Sequence, residues 1–457
     1  MALDATPARR RPVTVTPPPA PLTLWAGYRA ARRNLIDIIP VQAFHEGFVE
    51  SRRARWIMVT DPDAIERVLK TRAAVYPRSD VTLRILRPRE GQSLFTAPEA
   101  EWRFQHRAMT PMFQRRSLEG LVPVMASVAG ETAERLSATQ AREGVVDVYP
   151  EMVRATADVI ADVALGARDA IDRAALTHAV TAFIERVARV SLLDVLGAPE
   201  WIPRPARLLD AEGRGMDRMG DRVIAERLAR GPSARPDLLD MLIAARDPES
   251  GEGMAAVDLR NNLLAFIVAG HETTALALAW ALYLVAFDPD VQKRARAEAQ
   301  DVLGDRPATA ADLARLPYVR QVIDEALRLY PPAGMMTKTA KADDKLHGRR
   351  VLPGTTVILP IWALHRHRAL WDDPDAFDPD RFAPEARAKR HRFAYLPFSA
   401  GPHVCIGLQF ALMEAQVILA TILARFAVAL PAGFAPEPRM VFTLRPGTGM
   451  PLKLRRL

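Results

Sequence analysis

The stretch Phe398-Ser399-Ala400-Gly401-Pro402-His403-Val404-Cys405-Ile406-Gly407 holds the only cysteine of the chain. A lone thiol between two glycines, behind an aromatic, is what a backbone needs to wrap a sulfur against a flat prosthetic group. Gly401 and Gly407 permit a tight turn and close main-chain approach. Phe398 can pack beside the sulfur, and His403 offers a polar group to whatever lies next to it. Read alone, the segment leaves a second possibility open, because a free thiol more often ends as an inert part of a core.

At 457 residues the chain allows two or three domains, or one large core. Hydrophobic residues make up 49% and charged residues 25%, which places it among soluble globular chains rather than disordered or fibrous ones. A single cysteine excludes an internal disulfide, so nothing points to an oxidising compartment. The formal net charge of +8 favours acidic partners, and charge alone leaves nucleic acid and anionic membrane open. The N-terminus carries Arg9-Arg10-Arg11 and Pro17-Pro18-Pro19 and no apolar run. It is expected to be a flexible proline-rich tail over residues 1–20, neither signal peptide nor anchor, ahead of one domain over 21–457.

Leu263 to Phe287 is the most apolar segment and long enough to test as a membrane span. Gly270-His271-Glu272-Thr273-Thr274 places a charge near its centre, so a buried core helix with a functional polar break is expected instead. Helical periodicity dominates elsewhere. Residues 55–75 read as strand, turn and helix, and 102–230 as mainly helical. A short helix is expected over Leu238–Ala245, ahead of a polar loop from Asp247 to Gly253. Longer helices are expected over about 258–287, 290–303, 317–329 and 408–426, the first stopping before Asp288-Pro289. Short strands are expected near 350–352, 357–360, 440–444 and 452–454. The fold class is mainly α with a minor β region.

Further constellations carry chemistry. Glu325 and Arg328 lie three apart on one helix face and can pair; exposed pairs of this kind are nearly neutral, so a solvated surface pair is the alternative. Gly270, Thr273 and Thr274 lower the intrinsic stability of the apolar helix, and Glu272 adds a desolvation cost. Local propensity loses there, as it does at functional sites, and an acid beside an alcohol can relay protons; a kinked or capped core helix is the alternative. Trp102 and His106 share a helix face, which fits an amphipathic surface helix equally well.

These segments, in this order, resemble the cytochrome P-450 superfamily. Phe398, Gly401, Cys405 and Gly407 occupy all four fixed positions of its haem-binding loop. Ala269-Gly270-His271-Glu272-Thr273-Thr274 is similar to its proton-relay motif. Glu325-Ala326-Leu327-Arg328 with Phe377-Asp378-Pro379-Asp380-Arg381-Phe382 is similar to its paired structural segments. The resemblance runs from about residue 40 to the end. It implies a triangular helical prism with haem b between the long central helix and the Cys405 loop. Cys405 would ligate the iron as a thiolate, and Trp102, His106, Lys338 and His403 would hold the propionates. Glu325, Arg328 and Arg381 would form a structural network. His106, Lys338 and His403 each stand where arginine is commoner in the family.

The implied reaction takes two electrons and dioxygen, inserts one oxygen atom into an apolar substrate and releases water, with Glu272 and Thr273 delivering protons. No flavin or iron–sulfur segment follows Leu457, so electrons are expected from a separate acidic ferredoxin or flavodoxin with its reductase. Arg103, Arg107, Arg115, Arg116, Arg387, Lys389, Arg390 and Arg392 are its expected dock. The enzyme is expected to be bacterial, cytoplasmic and monomeric, with no nucleic-acid partner. Candidate pocket residues are Ala265, Phe266, Ala269, Met335 and Met336, with Ala333, Phe442, Thr443 and the stretch Leu83–Leu94. They are apolar, and the segment Ala363–Trp371 resembles fatty-acid and carotenoid hydroxylases, which favours a long lipophilic substrate. A peroxide-driven enzyme or a haem sensor would have no need for Glu272-Thr273.

Overall fold

The computed structural model describes residues 9–51, 56–165, 191, 211–233 and 236–457. The expected helical stretch 166–190 and 192–210 lies outside them.

The core is built on one helix, Ala256–Phe287, buried on almost every side from Leu263 onward. That all-round burial explains why its sequence shows no polar stripe. It packs against Val148–Leu165, Pro317–Leu329 and Leu408–Arg425. The helix is continuous, so the polar residues interrupt its apolar pattern and not its hydrogen-bond ladder. Gly270 has a packing reason: a Cβ there would lie 3.0 Å from Ile160 Cδ1 on the adjacent helix. The helix ends where Asp288 turns extended and then caps Pro289–Leu303, its carboxylate accepting from the Asp290 and Val291 amides. The helices Ala256–Phe287 and Leu408–Arg425 are long and apolar enough to cross a membrane, and 72% of each apolar window is buried within the protein.

The minor β region is a four-stranded sheet with smaller companions. Its order is Phe48–Ser51, Trp56–Val59, Thr356–Leu359, Met336–Thr339, the middle pair parallel and the outer pairs antiparallel. Trp56–Val59 leads into the helix Pro62–Glu66, as the strand–turn–helix pattern requires. Arg349–Val351 pairs with Asp344–Leu346 in a hairpin. Pro451–Arg456 runs between Val146–Asp147 and Phe426–Ala429.

The expected strand over 440–444 is a correction. Pro438–Met440 and Leu444–Pro446 pair antiparallel, with Val441–Thr443 as the turn between them. The turn carries no glycine, proline or asparagine, so its chemistry does not announce a reversal.

Of the tail expected over 1–20, residues 1–8 lie outside the described residues. Residues 9–19 make defined contacts. Arg9 pairs with Asp372 and Asp378, and Arg11 with Asp373. Val13 receives the Tyr330 hydroxyl at its carbonyl and donates its amide to Tyr283 Oη. Pro18 and Pro19 accept at their carbonyls from Val41 and Gln42.

Candidate functional site

The Cys405 loop is shaped by two left-handed residues, Ser399 at φ 63 and Gly401 at φ 72. A Cβ on Gly401 would run into the Leu69 carbonyl oxygen, so glycine is required there by backbone and by space. The Cys405 amide donates to Phe398 O at 2.9 Å, closing the loop, and Phe398 packs partly buried against the core. Gly407 is different. Its φ is −80, and a Cβ would meet only Cys405 Sγ, at 3.9 Å. The protein itself does not need glycine at 407, which fits a face kept clear for a bound group.

Cys405 is solvent-accessible, yet protein encloses it on the other sides. Burial pushes its thiol up, and the Gly407 amide pulls the other way. The residue stands just before the N-terminus of Leu408–Arg425, where the helix dipole favours an anion. A bound metal would make it a thiolate outright.

A cationic cluster lies beside the loop. Trp102 lies against His403 at 4.0 Å between ring centroids and against His106 at 4.8 Å, both pairs tilted. Arg78 and Lys338 pair across a β-bridge. Burial lowers Arg78 to about 10 and Lys338 to about 8. Neither makes an ion pair with a carboxylate among the described residues. His403 is held down to about 3 by burial and then by Arg78 and Lys338. Its Nδ1 is buried without a hydrogen-bond partner in the structure, and its Nε2 lies 3.5 Å from Glu99. Buried, uncompensated positive charge is costly unless an anion joins it. These residues fit a haem, whose two propionates would supply that charge. Arg78 was missed in the sequence, because a single arginine after Tyr76-Pro77 carries no local signal.

On the central helix, Glu272 is buried and fully engaged. It pairs with Arg445 and accepts from Tyr149 Oη at 3.2 Å and Thr443 Oγ1 at 3.0 Å. Thr273 donates its hydroxyl to Ala269 O at 2.7 Å. His271 is buried, neither ring nitrogen has a hydrogen-bond partner among the described residues, and burial, with Arg445 adding to it, lowers it to about 4.

Glu325, Arg328 and Arg381 come together. Arg328 grips both Glu325 oxygens, at 2.6 and 2.7 Å, and donates to the carbonyls of His365, Pro374 and Ala376. Arg381 Nε lies 3.4 Å from Glu325, and the Asp378 amide donates to the same oxygen at 2.9 Å. His365 carries this network to the Cys405 loop: its Nδ1 meets Arg328 O at 3.2 Å, and its Nε2 accepts from the Leu396 amide at 2.8 Å. Burial keeps His365 well below its ordinary value, so it stays neutral, with one donor and one acceptor nitrogen. Its bridging role was likewise not visible in the sequence.

Among the pocket candidates, Phe266, Ala269, Met335, Met336 and Phe442 are partly exposed, whereas Ala265 is buried. Phe266 meets Phe113 edge-on at 5.3 Å. Gly334 lies tight under the C-terminal hairpin, a Cβ there reaching 2.8 Å from Met440 Sδ.

The expected cationic dock is not one free field. Arg107 is tied to Asp247 at 2.7 Å, Arg103 to Glu99 and Arg115 to Glu119. Arg390 lies over Trp371 at 4.1 Å. Arg116, Arg387, Lys389 and Arg392 are exposed and make no ion pair among the described residues.

The family described as Cytochrome P450 matches the chain over residues 49–452. Cyclooctatin synthase of Streptomyces melanosporofaciens is 34% identical over 84% of this chain and 83% of its own length. A putative cytochrome P450 132 of Mycobacterium tuberculosis is 33% identical over 88% of each chain. Among solved structures, the haem domain of cytochrome P450DA superposes with TM-score 0.80 at 29% identity, covering 97% of this chain and 98% of that one. The cytochrome P450 CYP102L1 gives TM-score 0.81 at 27% identity, with 97% and 100% covered.

Proposed function

The chain belongs to the cytochrome P450 family, a haem-dependent monooxygenase with Cys405 as its thiolate axial ligand, and from that premise we propose that it hydroxylates a long lipophilic substrate with electrons from a separate acidic redox protein. When bound, the haem supplies the iron that activates dioxygen, and the thiolate pushes electron density toward it. Trp102, His106, Lys338, His403 and Arg78 would hold its propionates, with Phe398, Gly401 and Gly407 shaping the face that the thiolate occupies.

The observation that carries the substrate reading is that Phe266, Ala269, Met335, Met336 and Phe442 are all apolar and all partly exposed. Glu272, on the same helix as Phe266 and Ala269, is already compensated by Arg445. A polar substrate would find no free charged reader among these residues. Glu272 supplies protons and Thr273 steers them, the latter holding water on the oxygen whose proton is given to Ala269 O. The exposed Arg116, Arg387, Lys389 and Arg392 support docking of a ferredoxin or flavodoxin.

The test is turnover under ¹⁸O₂ with a surrogate ferredoxin and its reductase, on whichever fatty acid, terpene or steroid shifts the haem spectrum. One labelled oxygen in the product supports the reading. Spectral binding by polar compounds alone would defeat it.

A further inference from the structure

Glu272 cannot recover a proton from bulk solvent by itself, because it is 3% exposed. Among the described residues, three groups touch its carboxylate: Arg445, Thr443 and Tyr149. Arginine keeps its proton throughout the accessible pH range, so it can hold the carboxylate and cannot feed it. Thr443 is itself buried. Tyr149 is the member of the three that has a transferable proton and is only partly buried.

The fold fixes that phenol in place. Tyr149 opens the helix Val148–Leu165, whose first residue donates its amide to Met450 O at 3.0 Å. The Tyr149 amide donates to Asp147 Oδ1 at 3.1 Å, and the same oxygen accepts from the Met450 amide at 2.8 Å. The first turn is therefore tied to the C-terminal strand, and the ring leans across to the central helix. Thr443 and Arg445, either side of Leu444 at the start of the second hairpin strand, hold the carboxylate as well, Thr443 at Oε2 and Arg445 at Oε1, the oxygen that Tyr149 also meets.

We propose that Tyr149 is the solvent-side relay that returns protons to Glu272, and that Thr443 and Arg445 hold the carboxylate in register for it. In the transfer the phenol O–H bond breaks as an O–H bond forms at Glu272 Oε1. The phenol oxygen takes a proton from a hydronium ion on the solvent side in the same event, leaving a neutral water there. One proton moves inward from solvent and the ring keeps no charge. The relay rests on the reading of Glu272 as the proton supplier.

Tyr149→Phe removes one oxygen and keeps the ring. The first readout needs neither substrate nor haem. The infrared difference between wild type and Glu272→Gln marks the Glu272 carboxyl band, and Tyr149→Phe should displace that band because it loses a donor. An unmoved band overturns the contact. The second readout is turnover of the haem-loaded enzyme with plant ferredoxin, its reductase and hexadecanoic acid as probe, in H₂O and D₂O. Tyr149→Phe should slow oxygen consumption by ~10-fold, less than the ~10²–10⁴ of losing an acid outright. The solvent isotope effect should rise, while spectral binding of the probe stays unchanged. Wild-type rate and isotope effect in Tyr149→Phe overturn the relay. If Glu272→Gln is itself as fast as wild type, the reading of Glu272 falls first. If Glu272→Gln is slow and Tyr149→Phe is not, only the route falls.

Discussion

Glu325→Ala tests how the protein stores stability beneath the Cys405 loop. Glu325 and Arg328 have fully buried side chains, and Arg381 is nearly so. Removing the carboxylate leaves buried Arg328 with carbonyl partners and the Trp371 ring, leaves Arg381 with carbonyls and the more distant Asp378 Oδ2 at 3.9 Å, and strips the Asp378 amide of its acceptor. Breaking one side of a buried pair costs ~3–5 kcal/mol. A domain's whole margin is only ~5–15 kcal/mol, so haem-loaded protein should be scarce. Glu325→Gln keeps the volume and one acceptor, and should lose ~1.5–3 kcal/mol, the worth of a charged hydrogen bond. The assay is urea unfolding followed by far-ultraviolet circular dichroism, with bound haem quantified per polypeptide. A loss within about 1 kcal/mol of zero in Glu325→Ala would show that the pair contributes no more than an exposed one.

Gly401→Ala should destabilise by more than the ~1–2 kcal/mol of left-handed strain, since its Cβ would strike the Leu69 carbonyl; normal haem loading and urea midpoint would contradict this. Lys338 is lowered from 10.5 to about 8 by burial, so between those values the unfolded chain holds a proton that the folded one lacks. Apoprotein stability should therefore rise with pH across that window, by ~3 kcal/mol from this group, relative to Lys338→Met. Parallel urea midpoints for the two proteins from pH ~7.5 to ~10 would count against it. Thr273→Ala should bind substrate nearly as wild type and still oxidise NADPH, but should release more hydrogen peroxide per product formed. Unchanged coupling would remove Thr273 from the mechanism.

The sequence displays what is local and hides what is not. The Cys405 loop is legible because its glycines and aromatic sit within one turn of chain. Glu325 and Arg328 are legible as a pair, yet most of what holds Arg328 is backbone carbonyl, which no side-chain pattern records. Glu272 reads as an acid beside an alcohol, while Tyr149, 123 residues away, and Thr443, 171 away, come to it only through the fold. Arg78 and Lys338 meet across a bridge between distant segments. Arg107 reads as a docking cation because nothing nearby in sequence shows that the Asp247 loop folds back onto it. Gly270 reads as a helix weakness and is a contact point for Ile160.

Everything above turns on Cys405 binding haem iron as a thiolate. The measurement is the absorption spectrum of the reduced protein under carbon monoxide, for wild type and Cys405→Ala. The wild type should show the red-shifted Soret band of thiolate ligation and the variant should lack it. A wild type without that band, or a variant that keeps it, would rule out thiolate ligation by Cys405.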